Sequence, residues 1–202
     1  MNHVETNGQF VKTPLIYQLT EYDCGTTSII NALRYLFYRN EISPEILKYL
    51  MQYTLDKSNE KGEVGKGGTS TLAMHYLCNW LNENAPKKGM NLKCNYIPQK
   101  ECSIYNNDLE EAIKKGGVAI LRVCQSGDHY CLLTKMDEKY AYIFDPYYFN
   151  HCPNFDKCFE FINDKPFEYN RKVLKTRMNE KTEKDFALVD NENKEIIVIE
   201  RI

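Results

Sequence analysis

Tyr17-Gln18-Leu19-Thr20-Glu21-Tyr22-Asp23-Cys24-Gly25-Thr26-Thr27-Ser28 runs directly into the stretch Ile29 to Phe37. In that stretch Ile29, Ile30, Leu33, Leu36 and Phe37 recur at i, i+1, i+4, i+7 and i+8, the stripe of an amphipathic helix facing a core. Cys24 therefore falls at the N-terminal end of a helix. Unpaired N–H groups and the positive end of the helix dipole favour an anion there, so a thiol ionises more readily than at its free pKa of about 8.5. Gly25 removes a side chain beside the sulfur, which predicts close approach of a substrate carbonyl to the backbone. Gln18, six positions upstream, carries an amide able to donate to an oxyanion beside the backbone N–H of Cys24. Taken alone, a cysteine at a helix start is more often a small buried hydrophobe than a nucleophile.

A second stretch changes that balance. Gly127-Asp128-His129-Tyr130-Cys131-Leu132-Leu133-Thr134, a polar turn from Lys135 to Lys139, and Tyr140-Ala141-Tyr142-Ile143-Phe144-Asp145-Pro146 read as a β-hairpin. His129 opens its first strand and Asp145 closes its second, so the two ends are neighbours. With Cys24 they make a nucleophile, base and orienting-acid set. By itself the pair also reads as a surface histidine and a turn-forming Asp-Pro. Opposed residues of an antiparallel pair share a face. The turn length predicts Thr134 opposite Tyr140, Leu133 opposite Ala141 and Cys131 opposite Ile143, or a bulge that restores the same facing.

On these residues the chain resembles the papain-like, bacteriocin-processing peptidases that cut after double-glycine leaders, family 39 of the cysteine peptidases, and their stand-alone relatives. The resemblance rests on Gln18, on Asp23-Cys24-Gly25 with its helix, on His129-Tyr130 opening an apolar strand, and on Asp145-Pro146 after a second strand. It covers roughly 15–146. It implies that Gln18 supports an oxyanion, Cys24 attacks, His129 is the base and Asp145 orients it, with no cofactor and no metal. Thr26, Thr27 and Ser28 stand where small apolar residues are usual in the family, and the exporter and ATPase segments of its best-known members are absent from this sequence.

Bulk properties narrow the class. The 202 residues, 43% apolar and 12% aromatic, suffice for one domain with a sizeable core. A net charge of -2 gives no basic surplus for nucleic acid. The basic stretch Arg171 to Lys184 is interleaved with acids and reads as a solvated face. No apolar run approaches the ~18 residues of a membrane span. Met1 to Lys12 has no signal-peptide pattern, so the expected location is cytoplasmic. The eight cysteines are then thiols, with Cys78, Cys124 and Cys131 in the core. His151, Cys152 and Cys158 lack the fourth ligand and paired spacing of a zinc site.

Elsewhere, Ser43-Pro44-Glu45 starts a second helix with Ile46, Leu47, Leu50 and Met51 as its buried face. Lys57 to Gly68 is a glycine-rich loop without the flanking signature of a nucleotide site. Thr69 or Ser70 caps a third helix with Ala73, Tyr76, Leu77, Trp80 and Leu81 on one face and His75 at the surface. Leu92 to Ile97 is a strand, Asn107 to Lys115 a helix with Asn107 and Glu110 in capping-box spacing, and Val118 to Cys124 a buried strand. Asp185 to Val189 and Glu195 to Arg201 form a closing hairpin. Helices first and antiparallel strands later predict an α+β, papain-like layout, Cys24 on the helical lobe and His129 on the sheet lobe. The chain reads as one domain, 1–202, with its motifs in 15–146, the rest completing the sheet, and no motif in 147–184.

The function read from these residues is a cysteine peptidase acting on a peptide or protein substrate. A Cys-His-Asp amidase or acyltransferase uses the same three residues, and a non-catalytic peptide-binding module keeps the same fold. Substrate sequence and oligomeric state are not legible.

Overall fold

The computed structural model describes residues 10–149, 156–188 and 194–202. Three helices come first: α1 (Cys24–Leu36), α2 (Pro44–Tyr53) and α3 (Thr71–Asn84). β1 (Leu92–Ile97), α4 (Asn107–Lys114), β2 (Val118–Cys124), β3 (Asp128–Met136) and β4 (Tyr140–Phe144) follow. The short β5 (Phe159–Phe161), β6 (Arg171–Leu174), α5 (Lys175–Met178) and β7 (Ile196–Arg201) complete the described chain. The strands form one sheet in the order β1-β7-β2-β3-β4-β6-β5, and every pairing is antiparallel. The expected mixture of helices and antiparallel sheet is present.

The sheet is covered on both faces. Val118, Ile120, Tyr130, Leu132 and Phe144 pack with Ile29, Leu33, Leu50, Leu77 and Leu81 of α1 to α3. Ala119, Leu121, Val123, Cys131 and Leu133 pack with Leu109, Ala112 and Ile113 of α4 on the other side. That double burial is why all of Val118–Cys124 is buried and why its sequence does not alternate but is apolar at every position except Arg122. Cys78, Cys124 and Cys131 are buried as expected.

Several local expectations are corrected by packing. In α2 only Ile46 and Leu50 are buried, and Met51 faces outward. The α3 stripe is rotated towards Met74 and Cys78, with Tyr76 exposed. Tyr76 instead joins Tyr49, Tyr53 and Trp80 in an aromatic cluster between α2 and α3, Tyr49 stacking on Trp80 at 3.7 Å. Ser70, one of the two expected caps, accepts from the Ala73 N–H at 3.0 Å. α4 is capped by Asn106 and not by Asn107, because the residue just outside the helix has the extended backbone that aims its side chain at the first turn.

The C-terminal strand does not close a hairpin. β7 inserts between β1 and β2, while Phe186 and Ala187 exchange backbone hydrogen bonds with Cys124 outside any strand. The expected connector from Asp190 to Asn193, together with Val189, His151 and Cys152, lies outside the described residues. The basic stretch from Arg171 is a solvated face only in its second half: Lys181 to Lys184 are exposed, but Arg171, Lys175 and Arg177 are buried. Arg177 is there because Asp156 accepts from it at 2.5 Å; the reason for Arg171 lies in the site below.

Candidate active site

Cys24 is the first residue of α1, and no side chain caps that helix end. Asp23 sits at the cap position but turns its carboxylate back on the preceding loop. It accepts from the Leu19 N–H at 3.0 Å, the Thr20 N–H at 2.7 Å and the Thr20 hydroxyl at 2.5 Å. The loop 18–23 is thereby closed on itself, and the first-turn N–H groups keep their positive field for the Cys24 sulfur. Ser28 donates to the Tyr130 carbonyl at 3.1 Å and ties α1 to β3. Gly25 is also required by the packing of α1 on β3: a Cβ there would stand 2.8 Å from Thr69 Cβ and 3.2 Å from the Tyr130 ring.

The hairpin brings His129 and Asp145 together by the second of the two expected arrangements, a bulge that restores their facing, and not by the plain register. Near the turn Met136 pairs with Ala141 and Lys135 with Tyr142; beyond it Leu133 pairs with Ile143 and Leu132 with Phe144. Thr134 is the extra residue, a β-bulge. Strand β3 runs two residues past the expected end because Asp137 accepts from the Lys139 and Tyr140 N–H groups and makes a tighter turn. Leu133 therefore faces Ile143 and not Ala141, and Thr134 does not face Tyr140. Continuing the ladder places Asp145 opposite Cys131, diagonal to His129 on the same face. Diagonal neighbours are roughly 7–8 Å apart, within reach of an imidazole and a carboxylate. His129 Nε2 lies 2.9 Å from Asp145 Oδ1.

Asp145 is fully buried and its oxygens are well provided. Oδ1 also accepts from the Tyr147 N–H at 2.9 Å, and Oδ2 accepts from Gln125 Nε2 at 3.2 Å. Asn170 clamps the backbone on both sides, accepting from the Asp145 N–H at 2.7 Å and donating to its carbonyl at 2.8 Å. Arg171 Nε stands 3.7 Å from Oδ2. Gln125, Asn170 and Arg171 were not legible as site residues. Asn170 and Arg171 are placed by the β4–β6 pairing and Gln125 by the tight turn between β2 and β3, and no spacing in the sequence announces either.

The charges reinforce one another. Burial pushes the Cys24 thiol up, but a hydrogen bond from the His129 ring, its charge, and the backbone N–H groups of Tyr130 and Gly25 outweigh burial and hold the thiol below its ordinary value. Burial disfavours a charged His129, yet the Asp145 charge and hydrogen bond and those of Cys24 push it up to about 10. Asp145, which burial alone would raise, is held below the usual carboxylate range by His129, Arg171 and the Tyr147 N–H. With Nε2 committed to Asp145, Nδ1 is the ring nitrogen left for Cys24. The arrangement favours a thiolate–imidazolium pair over thiol and neutral imidazole.

Gln18 stands on the same loop, and its backbone N–H donates to the Pro146 carbonyl at 2.9 Å, joining that loop to the residue after Asp145. Its side chain donates from Nε2 to the Thr20 carbonyl at 2.7 Å, which uses one of the two amide hydrogens. Behind Tyr130 lies a buried polar cluster the sequence did not suggest. The Tyr130 hydroxyl donates to Glu195 Oε2 at 2.6 Å, and Arg122 reaches Thr71 at 2.7 Å and Asp128 at 2.5 Å. His75, expected at the surface, is half-buried with Nε2 3.2 Å from Glu195 Oε1 and its ring against Tyr96 at 3.6 Å.

No family model matches the chain, and no curated protein matches it. Among solved structures it is similar to a double glycine motif protease from an AMS/PCAT transporter, solved in complex with the leader peptide. The identity is 20% over 70% of this chain and 79% of that one, with a TM-score of 0.37. Among the described residues no helix is long and apolar enough to cross a membrane, and no group of three or more His, Cys, Asp or Glu is placed to hold a metal ion.

Proposed function

We propose that the chain is a cysteine peptidase, with Cys24 as nucleophile, His129 as general acid and base, Asp145 as the orienting acid and Gln18 as a donor to the oxyanion. The observation that carries this reading is the buried His129–Asp145 pair, Nε2 to Oδ1 at 2.9 Å, with the His129 ring lowering the pKa of the Cys24 thiol at the start of α1. A merely structural cysteine at a helix start has no need of a charged, oriented imidazole.

In this reading the Cys24 thiolate adds to the carbonyl carbon of a peptide bond, and the electron pair moves to the carbonyl oxygen. The N–H groups at the helix start and the Gln18 amide oppose that charge. As the oxyanion collapses, the C–N bond breaks and the His129 imidazolium gives its proton to the leaving amine. Neutral His129 then takes a proton from water while the water oxygen attacks the thioester. The carboxylic acid departs, and Cys24 leaves as thiolate beside an imidazolium again. Asp145 keeps the ring oriented throughout and stays ionised. An amidase or acyltransferase shares the first half of this sequence and differs in what accepts the acyl group.

The test is intact-mass analysis after incubation with an electrophilic peptide probe at pH 6 to 8, followed by peptide mapping. One adduct on Cys24, formed faster than on Cys158, supports the reading, and labelling at the rate of an ordinary thiol overturns it. A peptide library then separates the outcomes: new carboxyl termini mean hydrolysis, and acylated amines mean transfer.

A further inference from the structure

We propose that Arg171 is a positioning residue of this same site: a buried fixed charge that keeps the Asp145 carboxylate ionised and so sets the pH range over which Cys24 and His129 are charged. The inference rests on the thiol-nucleophile reading above and adds to it a residue that touches neither sulfur nor substrate.

The geometry gives the guanidinium one counterion, Asp145. Arg171 is 1% exposed, a costly place for a cation without a counterion. Its Nη1 donates to the Asn170 carbonyl at 2.9 Å and its Nη2 to the Tyr147 and Phe149 carbonyls at 3.5 and 3.4 Å, and its plane lies over the Phe161 ring at 4.1 Å. None of these contacts supplies a full negative charge. Asp145 does, with Oδ2 3.7 Å from Nε, and the same carboxylate serves His129 through Oδ1. One buried anion thus stands between two cations. Protonating Asp145 would strand the guanidinium, so Arg171 opposes that protonation even where His129 is neutral.

The other ionisable groups about the pair come from several elements. His129 and Cys131 on β3, Tyr147 after β4, and Asp185 all feel the Asp145 charge, with Cys24 of α1 beyond His129, while Tyr17 faces Arg171. None of these is a second fixed cation. Removing a positive charge raises the pKa of every acid near it. Loss of Arg171 must therefore move the protonation of Asp145 and the deprotonation of His129 in the same direction, to higher pH. A residue that only filled space would change the rate without moving either limb.

The experiment is the pH profile of Cys24 alkylation by iodoacetamide in the full chain, wild type against Arg171→Met and Arg171→Lys, with folding checked by circular dichroism. The expected result is a profile displaced upward by roughly one pH unit on both limbs in Arg171→Met, as for loss of one charge within 4–6 Å, and largely returned in Arg171→Lys. Unmoved limbs in Arg171→Met overturn the inference while leaving the thiol reading intact. A wild-type Cys24 no faster than an ordinary thiol overturns the thiol reading and this inference with it. Should Arg171→Met fail to fold, the double variant Asp145→Asn with Arg171→Met decides. A double variant that folds supports the pairing, and one that fails equally shows that the two charges do not compensate each other.

Discussion

His129 Nε2 and Asp145 Oδ1 meet at 2.9 Å because one residue, Thr134, is extruded from the strand between them and the turn. If the pairing of Met136 with Ala141 continued unbroken, Asp145 would fall opposite Leu132 and point to the face covered by α1 to α3. The bulge shifts the ladder by one residue and returns the carboxylate to the face of His129. The contact thus depends on a residue count within the hairpin.

Deleting Thr134 should therefore abolish the selective alkylation of Cys24, whereas Thr134→Ala should keep it. The alanine loses only the 3.3 Å hydrogen bond from the hydroxyl to the Tyr142 carbonyl, worth about 1 kcal/mol. Chevron-free equilibrium unfolding in urea reports the stability of each variant, and iodoacetamide rates report the site. Equal rates in the deletion variant and wild type would show that the bulge does not place Asp145.

Gln18→Ala should lower peptide turnover by roughly 10²-fold or more, as for loss of one oxyanion donor. It should leave alkylation of Cys24 by iodoacetamide unchanged, because that displacement develops no carbonyl oxyanion. If both rates fall together, the amide acts instead by bracing the loop through its 2.7 Å bond to the Thr20 carbonyl.

Glu195 predicts a pH dependence of stability. Burial pushes its carboxyl up to about 7, a change opposed only in part by the Tyr130 hydroxyl and Arg122. The folded state then holds this proton more tightly than the unfolded chain. The resulting stability is full below the unfolded pKa of about 4.3 and is lost as pH rises towards 7. A shift of that size corresponds to on the order of 3 kcal/mol. Wild type should lose stability relative to Glu195→Gln across that window in urea titrations at fixed pH values; parallel stability curves would show that folding does not raise the Glu195 pKa.

Much of the site was legible because its signals are local. The 3.6-residue spacing of Ile29, Leu33 and Leu36 places Cys24 at a helix start, and the run Val118 to Cys124, apolar except at Arg122, marks a buried strand. Those bounds match α1 and β2 closely. A period needs only the residues within one turn or one strand to declare itself, and so do the serine and proline that open α3 and α2. His129 and Asp145 as ends of one hairpin follow from the same kind of reading.

What only the tertiary structure decided is everything set by partners distant in sequence. The basic run beginning at Arg171 has the composition of a solvated face, yet Arg171 is drawn into the interior by Asp145, and no local pattern encodes a counterion 26 residues away. Thr69 and Tyr130 approach Gly25 so closely that a Cβ there would clash, a constraint no local pattern shows. β7 slots between β1 and β2 through backbone hydrogen bonds that any apolar strand could make. Register within the hairpin turned on Asp137 tightening the turn and Thr134 bulging out. Periodicity settles which face a residue can take; which neighbours meet it there is set by long-range pairing, whose energies arise only when the strands and helices have come together.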